Sequence, residues 1–292
     1  MKPKNHSRFI FVTCIALLTL FFISCGSNAK KSDNIDTSYP DFKLAVTYAK
    51  LRLQSKQANL TAIEKLIDDT VTGCKNDEDG KVPDMIVLSE LLYTRGNSAD
   101  QQLEETDGPL MQSMAKKAKE HDCYIVYNFY EERKSDGNRY NTNKMINRKG
   151  ELIGSYDKTF VTKEDIDVGC IAGSRDESNI KPVETEFGPI GMLICYDVQK
   201  GLGEREHDLI LLYAERGARL VLVSSIGDYT AEVRDGGMAA GIWTVHCGQD
   251  SYQNDDFYKS NITDSYGKCV AGVAKQDTGL RSYCSAVINL NP

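Results

Sequence analysis

The chain has 292 residues, of which 41% are hydrophobic and 26% are charged, and its formal net charge at pH 7 is −7. An acidic chain without a basic stripe lacks the charge pattern with which proteins bind nucleic acid, so we exclude nucleic acid as a partner. The nine cysteines form no CxxC pair and the four histidines form no HExxH motif. The sequence therefore predicts no metal site and no cofactor.

The N-terminal residues have the pattern of an export signal. Three basic residues precede an uncharged, largely apolar stretch over residues 9–23, which ends in small residues. Ile23-Ser24-Cys25 resembles the lipobox of bacterial lipoproteins, in which the cysteine is lipidated and becomes the first residue of the mature chain. We therefore predict a lipoprotein signal peptide over residues 1–24 and a lipidated Cys25. The polar segment of residues 25–40, which has no hydrophobic periodicity, is predicted to be a flexible tether.

These features predict an exported protein that faces the periplasm or the cell surface and binds the membrane through its N-terminal lipid. The apolar stretch is short for a membrane span, which needs about 20 apolar residues. A simple secretory signal and an uncleaved anchor remain the alternatives. In an exported protein some of the cysteines could form disulfides, although isolated cysteines are more often small buried hydrophobic residues.

From residue 41 onward, predicted strands alternate with predicted helices, and residues 41–292 are long enough for one large domain. Strands are predicted at 44–48, 85–88, 123–129, 191–194 and 220–223, and a hairpin is predicted from 144–147 and 152–156. Helices are predicted after an N-cap at Asn59, at 108–121 and at 206–216. Further strands or short helices are predicted near 242–247, 260–264, 269–274 and 283–288. This alternation predicts an α/β layered domain with a mixed sheet system.

Three of the predicted strands run directly into a side chain suited to acyl transfer. Glu90 follows strand 85–88, Lys158 follows the hairpin, and Cys195 follows strand 191–194. Sites in open α/β sheets form at the carboxyl ends of strands, so we expect these three side chains to lie close together. A thiol, a carboxylate and an ammonium are the groups needed to form and resolve a thioester.

The three segments resemble the catalytic motifs of the carbon-nitrogen hydrolase (nitrilase) superfamily. They are Met85-Ile86-Val87-Leu88-Ser89-Glu90, Tyr156-Asp157-Lys158 and Gly191-Met192-Leu193-Ile194-Cys195-Tyr196-Asp197, in the family's order and approximate spacing. The resemblance implies a four-layer α-β-β-α sandwich, in which two sheets pack face to face with helices outside. It also implies pairing through a helix layer, so we expect that the chain can form a homo-oligomer.

The resemblance further implies a role for each residue. Cys195 is the nucleophile, Glu90 is the general base and acid, and Lys158 stabilises the oxyanion, with the backbone N–H of Tyr196 as a second donor. Many members of the family carry a second glutamate shortly after the lysine, and Glu164 is the nearest match here.

Asp165 and Asp167, which lie in the same charged run as Glu164, are alternatives for this position. Asp197, two residues after the expected nucleophile, is predicted to be structural and to cap the segment that it begins.

We predict a hydrolase that cleaves a non-peptide carbon-nitrogen bond in a small-molecule amide, with nitrile hydrolysis less favoured. Ser89 stands where the family usually has proline, and residues 198–204 replace its usual Phe-Pro-Glu turn, so the substrate is left open. An N-acyltransferase with the same Glu-Lys-Cys triad is one alternative, although that branch embeds its domain among membrane helices. A catalytically inert binding module of the same fold is the other.

The predicted lipidation can be tested by detergent partitioning. We expect the exported protein to enter the detergent phase, because two acyl chains are enough for stable anchoring. Cys25→Ala should move the protein to the aqueous phase and remove the lipid mass, whereas Cys14→Ala, a change within the signal peptide, should alter neither. A wild-type protein that is exported, unmodified and wholly aqueous would contradict the prediction.

Overall fold

The computed structural model describes residues 38–49, 55–94, 103–176, 178–199, 209–249, 260–273 and 282–291. The predicted signal peptide, Cys25 and most of the predicted tether lie outside these ranges, as do residues 200–204 of the segment after the expected nucleophile. Within the described ranges, no helix has both the length and the apolar character needed to cross a membrane.

The first half of the domain supplies one sheet and two helices. In chain order these elements are β1 (Phe42–Thr47), α1 (Lys56–Lys75), β2 (Met85–Val87), β3 (Leu103–Glu105), α2 (Pro109–His121), β4 (Tyr124–Arg133), β5 (Asn138–Ile146) and β6 (Leu152–Asp157).

The second half supplies another sheet, three further helices and the last strand of the first sheet. Its elements are α3 (Lys163–Asp167), β7 (Val183–Thr185), β8 (Gly188–Ile194), α4 (Leu209–Glu215), β9 (Leu220–Ser224), α5 (Thr230–Ala240), β10 (Trp243–Cys247), β11 (Ser260–Thr263), β12 (Cys269–Val273) and β13 (Tyr283–Ile288).

The strands form two mixed sheets. The first has the order β13-β1-β2-β4-β5-β6, with β3 beside β4, and the second has the order β12-β11-β10-β9-β8-β7. In each sheet three central strands are parallel: β1, β2 and β4 in the first, and β8, β9 and β10 in the second. Central parallel strands are buried on both faces, which explains their continuous apolar runs in the sequence.

Successive residues of β8 show how the layers stack. Gly191 points outward, where an added Cβ would lie 2.7 Å from the Tyr213 ring of α4. Met192 points inward to Gly154 of β6, where an added Cβ would lie 3.3 Å from the methionine methyl group. Because α1 and α2 pack on the first sheet and α4 and α5 on the second, the chain forms the expected four-layer α-β-β-α sandwich.

Hydrogen bonds join the two sheets near the carboxyl ends of their parallel strands. The Ser224 hydroxyl donates to the Leu88 carbonyl oxygen at 2.9 Å, and the Ser260 hydroxyl donates to the Thr47 carbonyl oxygen at 2.8 Å. These bonds pair buried polar groups that would otherwise cost about 1–3 kcal/mol each. The bond between Ser224 and Leu88 also fixes the ends of β9 and β2 relative to each other, and Glu90 follows β2 at this point.

The predicted strands and helices are confirmed where the chain is described, but the predicted start of the first helix is wrong. Ser55, not Asn59, is the N-cap, and its hydroxyl accepts from the Ala58 N–H at 3.2 Å. Asn59 lies inside α1, and its side-chain amide donates to the Tyr93 carbonyl oxygen at 2.7 Å. Both residue types can cap a helix, so the sequence pattern did not separate them.

Candidate active site

Cys195 sits on a sharp turn at the end of β8. Its backbone is in the left-handed region, with φ of 47°, and it begins a single 3-10 turn, Cys195–Val198. A non-glycine residue held in this conformation costs on the order of 1–3 kcal/mol, and such strain is concentrated at functional sites. The turn presents the thiol at the mouth of the second sheet, as the sequence predicted.

Asp197 holds this turn against the end of β6. One carboxylate oxygen accepts from the backbone N–H groups of Thr159, at 3.1 Å, and Phe160, at 2.8 Å. The other oxygen accepts from the Ile194 N–H at 3.0 Å and the Tyr156 hydroxyl at 2.8 Å. Complete burial raises the pKa of Asp197 to about 7, although these donors and the Lys158 ammonium act in the opposite direction.

Glu90 emerges from the first sheet directly after β2, and only 2% of its side chain is exposed. The next residue, Leu91, also has a left-handed backbone, with φ of 55°, and its N–H donates to the Asn128 side-chain oxygen at 2.9 Å. This geometry turns the Glu90 carboxylate inward. One of its oxygens accepts from the Asn141 amide at 2.9 Å, and the other accepts from the Ile226 N–H at 2.9 Å.

Lys158 lies directly after β6 and is buried between two carboxylates. Its Nζ is 3.1 Å from Glu90 Oε1 and 2.9 Å from Asp165 Oδ2. Burial alone would lower the pKa of Lys158, but Glu90, Cys195 and Asp165 hold it well above its usual range. Lys158 therefore stays protonated and can donate hydrogen bonds to a developing negative charge.

The second acidic residue that the structure places beside Lys158 is Asp165, one of the two alternatives to Glu164 that the sequence left open. Asp165 is buried and also accepts from the Asn141 amide at 2.9 Å and the Tyr130 hydroxyl at 3.1 Å, whereas Glu164 is exposed. Neighbouring residues of a helix point about 100° apart, so only one of the two can face the lysine. A capping box between Thr162 and Asp165 turns Asp165 inward.

The Cys195 thiol is protonated at rest. Burial raises its pKa to about 12, the Glu90 carboxylate acts in the same direction, and the Lys158 ammonium only partly offsets them. A buried neutral thiol attacks a carbonyl only if a nearby base accepts its proton. Glu90, which interacts electrostatically with both Cys195 and Lys158, is the carboxylate in position to do so.

The sequence did not identify the polar residues that complete the cluster. Asn141 of β5 donates one amide group to both Glu90 and Asp165, and Tyr130 of β4 supports Asp165 from the neighbouring strand. Their signal in the sequence is weak, because both belong to polar stretches that extend beyond the predicted strands. Tyr196, whose backbone N–H was predicted as a donor, has a 38% exposed side chain and lies in the turn beside Cys195.

The role of Asp197 leads to a test with a neutral variant. In Asp197→Asn, the new NH₂ group would face backbone donors whichever way the amide is turned, because both oxygens accept from N–H groups. We expect the free energy of unfolding to fall by about 1–3 kcal/mol and turnover to fall roughly 10- to 100-fold through displaced Cys195 and Lys158. The exposed, salt-bridged Asp235 provides the control, since Asp235→Asn should change neither. Wild-type denaturation and kinetics for Asp197→Asn would contradict this role.

Comparison with known proteins identifies the family of this chain. The family model of carbon-nitrogen hydrolases matches residues 43–290. A protein of Pseudomonas protegens named "Hydrolase in pqqF 5'region" is 32% identical over 158 residues, 51% of this chain and 52% of that protein. The deaminated glutathione amidase of Rattus norvegicus is 26% identical over 210 residues, 64% of this chain and 60% of that protein. The chain thus matches about half to three fifths of the length of these relatives.

A solved structure shares the fold. The crystal structure of Saccharomyces cerevisiae Nit3, a member of branch 10 of the nitrilase superfamily, superposes with a TM-score of 0.67 and 20% sequence identity, covering 85% of this chain and 90% of that chain. The family match covers nearly the whole described domain, and the two-sheet sandwich agrees with it. This chain belongs to the carbon-nitrogen hydrolase family.

Proposed function

We propose that this protein hydrolyses the carbon-nitrogen bond of a non-peptide amide through a thioester on Cys195. The observation that carries the proposal is the buried group of Glu90, Lys158 and Cys195, with Glu90 Oε1 and Lys158 Nζ 3.1 Å apart. The amidase activity in the name of the rat relative supports an amide as the substrate class. We leave the particular amide open.

In the first step, Glu90 accepts the proton of the Cys195 thiol while the sulfur attacks the amide carbon. A carbon-sulfur bond forms, and the carbonyl electrons move to the oxygen. The protonated Lys158 supplies one donor for this oxygen, and the backbone N–H of Tyr196, at the start of the 3-10 turn, supplies another. One such preorganised donor contributes roughly 3–4 kcal/mol to the stability of a transition state.

In the second step, the carbon-nitrogen bond breaks and the departing amine takes the proton that Glu90 carries. This leaves the acyl group on Cys195 and returns Glu90 to its ionised form. Glu90 then accepts a proton from water, which attacks the thioester, and passes the proton to the departing Cys195 sulfur. Glu90 thus acts as base and acid in both halves of the reaction.

Asp165 has a supporting role in this scheme. With Glu90 it places two carboxylates on one ammonium, so Lys158 remains charged although it is buried. Its contacts with Asn141 and Tyr130 fix its own position. The Lys158 ammonium is thus held in place before the substrate arrives, which is the condition under which electrostatic stabilisation is most effective.

We further propose that a lipid on Cys25 holds this domain at a membrane, facing the periplasm or the cell surface. The basic residues, the apolar stretch and the lipobox-like Ile23-Ser24-Cys25 support this location. The substrate would then be an amide that reaches the outer side of the cytoplasmic membrane.

The proposed roles predict graded losses of turnover in a series of variants. Cys195→Ala should fold normally and lose turnover completely, and Glu90→Gln should lose about 100-fold or more because nothing accepts the thiol proton. Asp165→Asn should lower the rate, whereas Glu164→Gln, a change in the adjacent exposed carboxylate, should leave it unchanged. Ammonia release from a panel of small amides provides the measurement. Full activity in Cys195→Ala would remove the mechanism.

Hydrolysis and acyl transfer differ in the fate of the thioester. For a hydrolase, free acid and ammonia should appear in equal amounts, and added hydroxylamine should divert only part of the acid to hydroxamate. Intact-protein mass spectrometry should show no stable acyl-enzyme in buffer. A thioester that persists in buffer and discharges only when a particular amine is added would instead support the N-acyltransferase. An enzyme that never acquires the acyl mass would support the inert binding module.

A further inference from the structure

The loop between β9 and α5 carries one of the hydrogen-bond donors of Glu90. We refer to residues 225–229 as the β9–α5 loop. The Ile226 N–H donates to Glu90 Oε2 at 2.9 Å, while Asn141 and Lys158 bind the other carboxylate oxygen. The loop belongs to none of the three catalytic motifs, and Ile226 reaches Glu90 through its backbone N–H. The position of this donor therefore depends on the groups that hold the loop in place.

Both ends of the β9–α5 loop are bound to β10. At its start, the Ser225 N–H donates to the Cys247 carbonyl oxygen at 2.8 Å. At its end, the Tyr229 N–H donates at 3.3 Å to Nε2 of His246, a residue that is only 1% exposed. Ile226 lies between these two attachments, so a shift at either end of the loop would move the N–H that binds Glu90.

His246 meets polar groups at both of its ring nitrogens. Nδ1 is 3.4 Å from the hydroxyl oxygen of Thr230, the first residue of α5. Nε2 is 3.2 Å from the Gly227 carbonyl oxygen, in addition to its contact with the Tyr229 N–H. A neutral imidazole has one N–H and one bare nitrogen, so Nε2 can either accept from Tyr229 or donate to Gly227. The bonds that the neighbouring groups make decide between the two.

These neighbouring bonds assign the proton to Nδ1. The Thr230 hydroxyl donates its hydrogen to Asp228 Oδ1 at 2.8 Å, so its oxygen can only accept from the ring. The Gly227 carbonyl oxygen already accepts from the Ser225 hydroxyl at 2.7 Å, so it does not need a hydrogen from Nε2. With the proton on Nδ1, the ring donates to Thr230 and accepts from the Tyr229 N–H, and each of these groups has a partner.

We propose that His246 is a positioning residue for the general base, and that its Nδ1–H tautomer holds the β9–α5 loop so that the Ile226 N–H stays on Glu90. The inference rests on the proposed function, since it assigns a support to the base of the same reaction. His246 acts through the loop rather than on the reacting atoms.

The other tautomer would disturb the loop. A hydrogen on Nε2 would face the Tyr229 N–H, and the loop would have to move to separate the two donors. The Ile226 N–H, three residues away, would move with it. Glu90 would then keep its bonds at Oε1 and lose the donor at Oε2. A carboxylate that must accept the thiol proton and return it to the amine needs a fixed orientation, so turnover would fall.

Two substitutions of similar length separate hydrogen bonding from packing. His246→Gln places an amide oxygen near the position of Nε2, where it can accept from the Tyr229 N–H, whereas His246→Met fills similar space with a weak acceptor. We expect His246→Met to lower kcat roughly 10- to 100-fold, the effect of losing one hydrogen bond to a charged group, with KM nearly unchanged. His246→Gln should recover most of this kcat. Ammonia release from an amide substrate provides the measurement.

Two measurements on the free enzyme test the contact without any substrate. With isotope-labelled histidine, NMR should show a protonated Nδ1 and a bare Nε2 for His246, whose signals are identified by their loss in His246→Gln. Hydrogen exchange at the Ile226 and Tyr229 amides should be slow in the wild type and in His246→Gln. In His246→Met it should be roughly 10-fold faster, because the loop opens more often.

A second histidine provides the matched control. His121 of α2 also makes a side-chain hydrogen bond, with its Nε2 2.7 Å from Asp68 Oδ1, and His121→Met should change neither kcat nor the exchange of the two loop amides. If His246→Met proves unfolded by its melting temperature, Thr230→Val takes its place, because it removes the acceptor of Nδ1–H and keeps the side-chain shape. In Thr230→Val we expect signals of both tautomers and a lower kcat.

The outcomes separate the two proposals. A proton on Nε2 in the wild type overturns the inference, as does wild-type kcat with wild-type amide exchange in His246→Met. Equal losses in His246→Met and His246→Gln also overturn it, because the shape of the side chain would then matter rather than its acceptor. Loss in His246→Met with recovery in His246→Gln supports it. If the wild type hydrolyses no amide but the tautomer and exchange rates are as expected, the proposed function fails while the role of His246 in holding the loop stands.

Discussion

The buried ion pairs of Lys158 are the interaction on which the site depends. An ammonium that is 2% exposed is stable only if its charge is matched, and Glu90 and Asp165 match it from two sides. Removing one partner of such a buried pair usually costs about 3–5 kcal/mol, because it leaves an uncompensated charge. The cluster therefore fixes the relative positions of β2, β6 and α3, and any displacement of these elements would separate charges in a medium that screens them poorly.

The second constraint is the join between the sheets. Glu90 and Lys158 belong to the first sheet and Cys195 to the second, so the site exists only when the two inner faces are packed in register. Asp197 connects the two sheets at the site itself, because its carboxylate accepts hydrogen bonds both from the end of β8 and from the residues that follow Lys158. The hydrogen bond between Ser224 and Leu88 does the same for β9 and β2. Packing and chemistry are therefore coupled.

Electrostatics in this cluster favour a protonated thiol at rest. Burial and the Glu90 carboxylate together outweigh the Lys158 ammonium, so they oppose ionisation of the Cys195 thiol until a nearby base accepts its proton. A resting thiol is also protected from the oxidation and alkylation to which exposed thiolates are prone.

The sequence by itself determined the layered fold and the three main residues of the site. Buried parallel strands produce continuous apolar runs, and Glu90, Lys158 and Cys195 stand where such runs or the hairpin end, so their position follows from local pattern. Only the tertiary structure decided that Asp165 and not Glu164 faces the lysine, because the direction of a side chain on a five-residue helix depends on its cap. It alone also brought Asn141 to Glu90 and Asp197 to the residues that follow Lys158. Contacts between residues far apart in the chain leave no periodic signal, since they arise when two separately patterned sheets pack together.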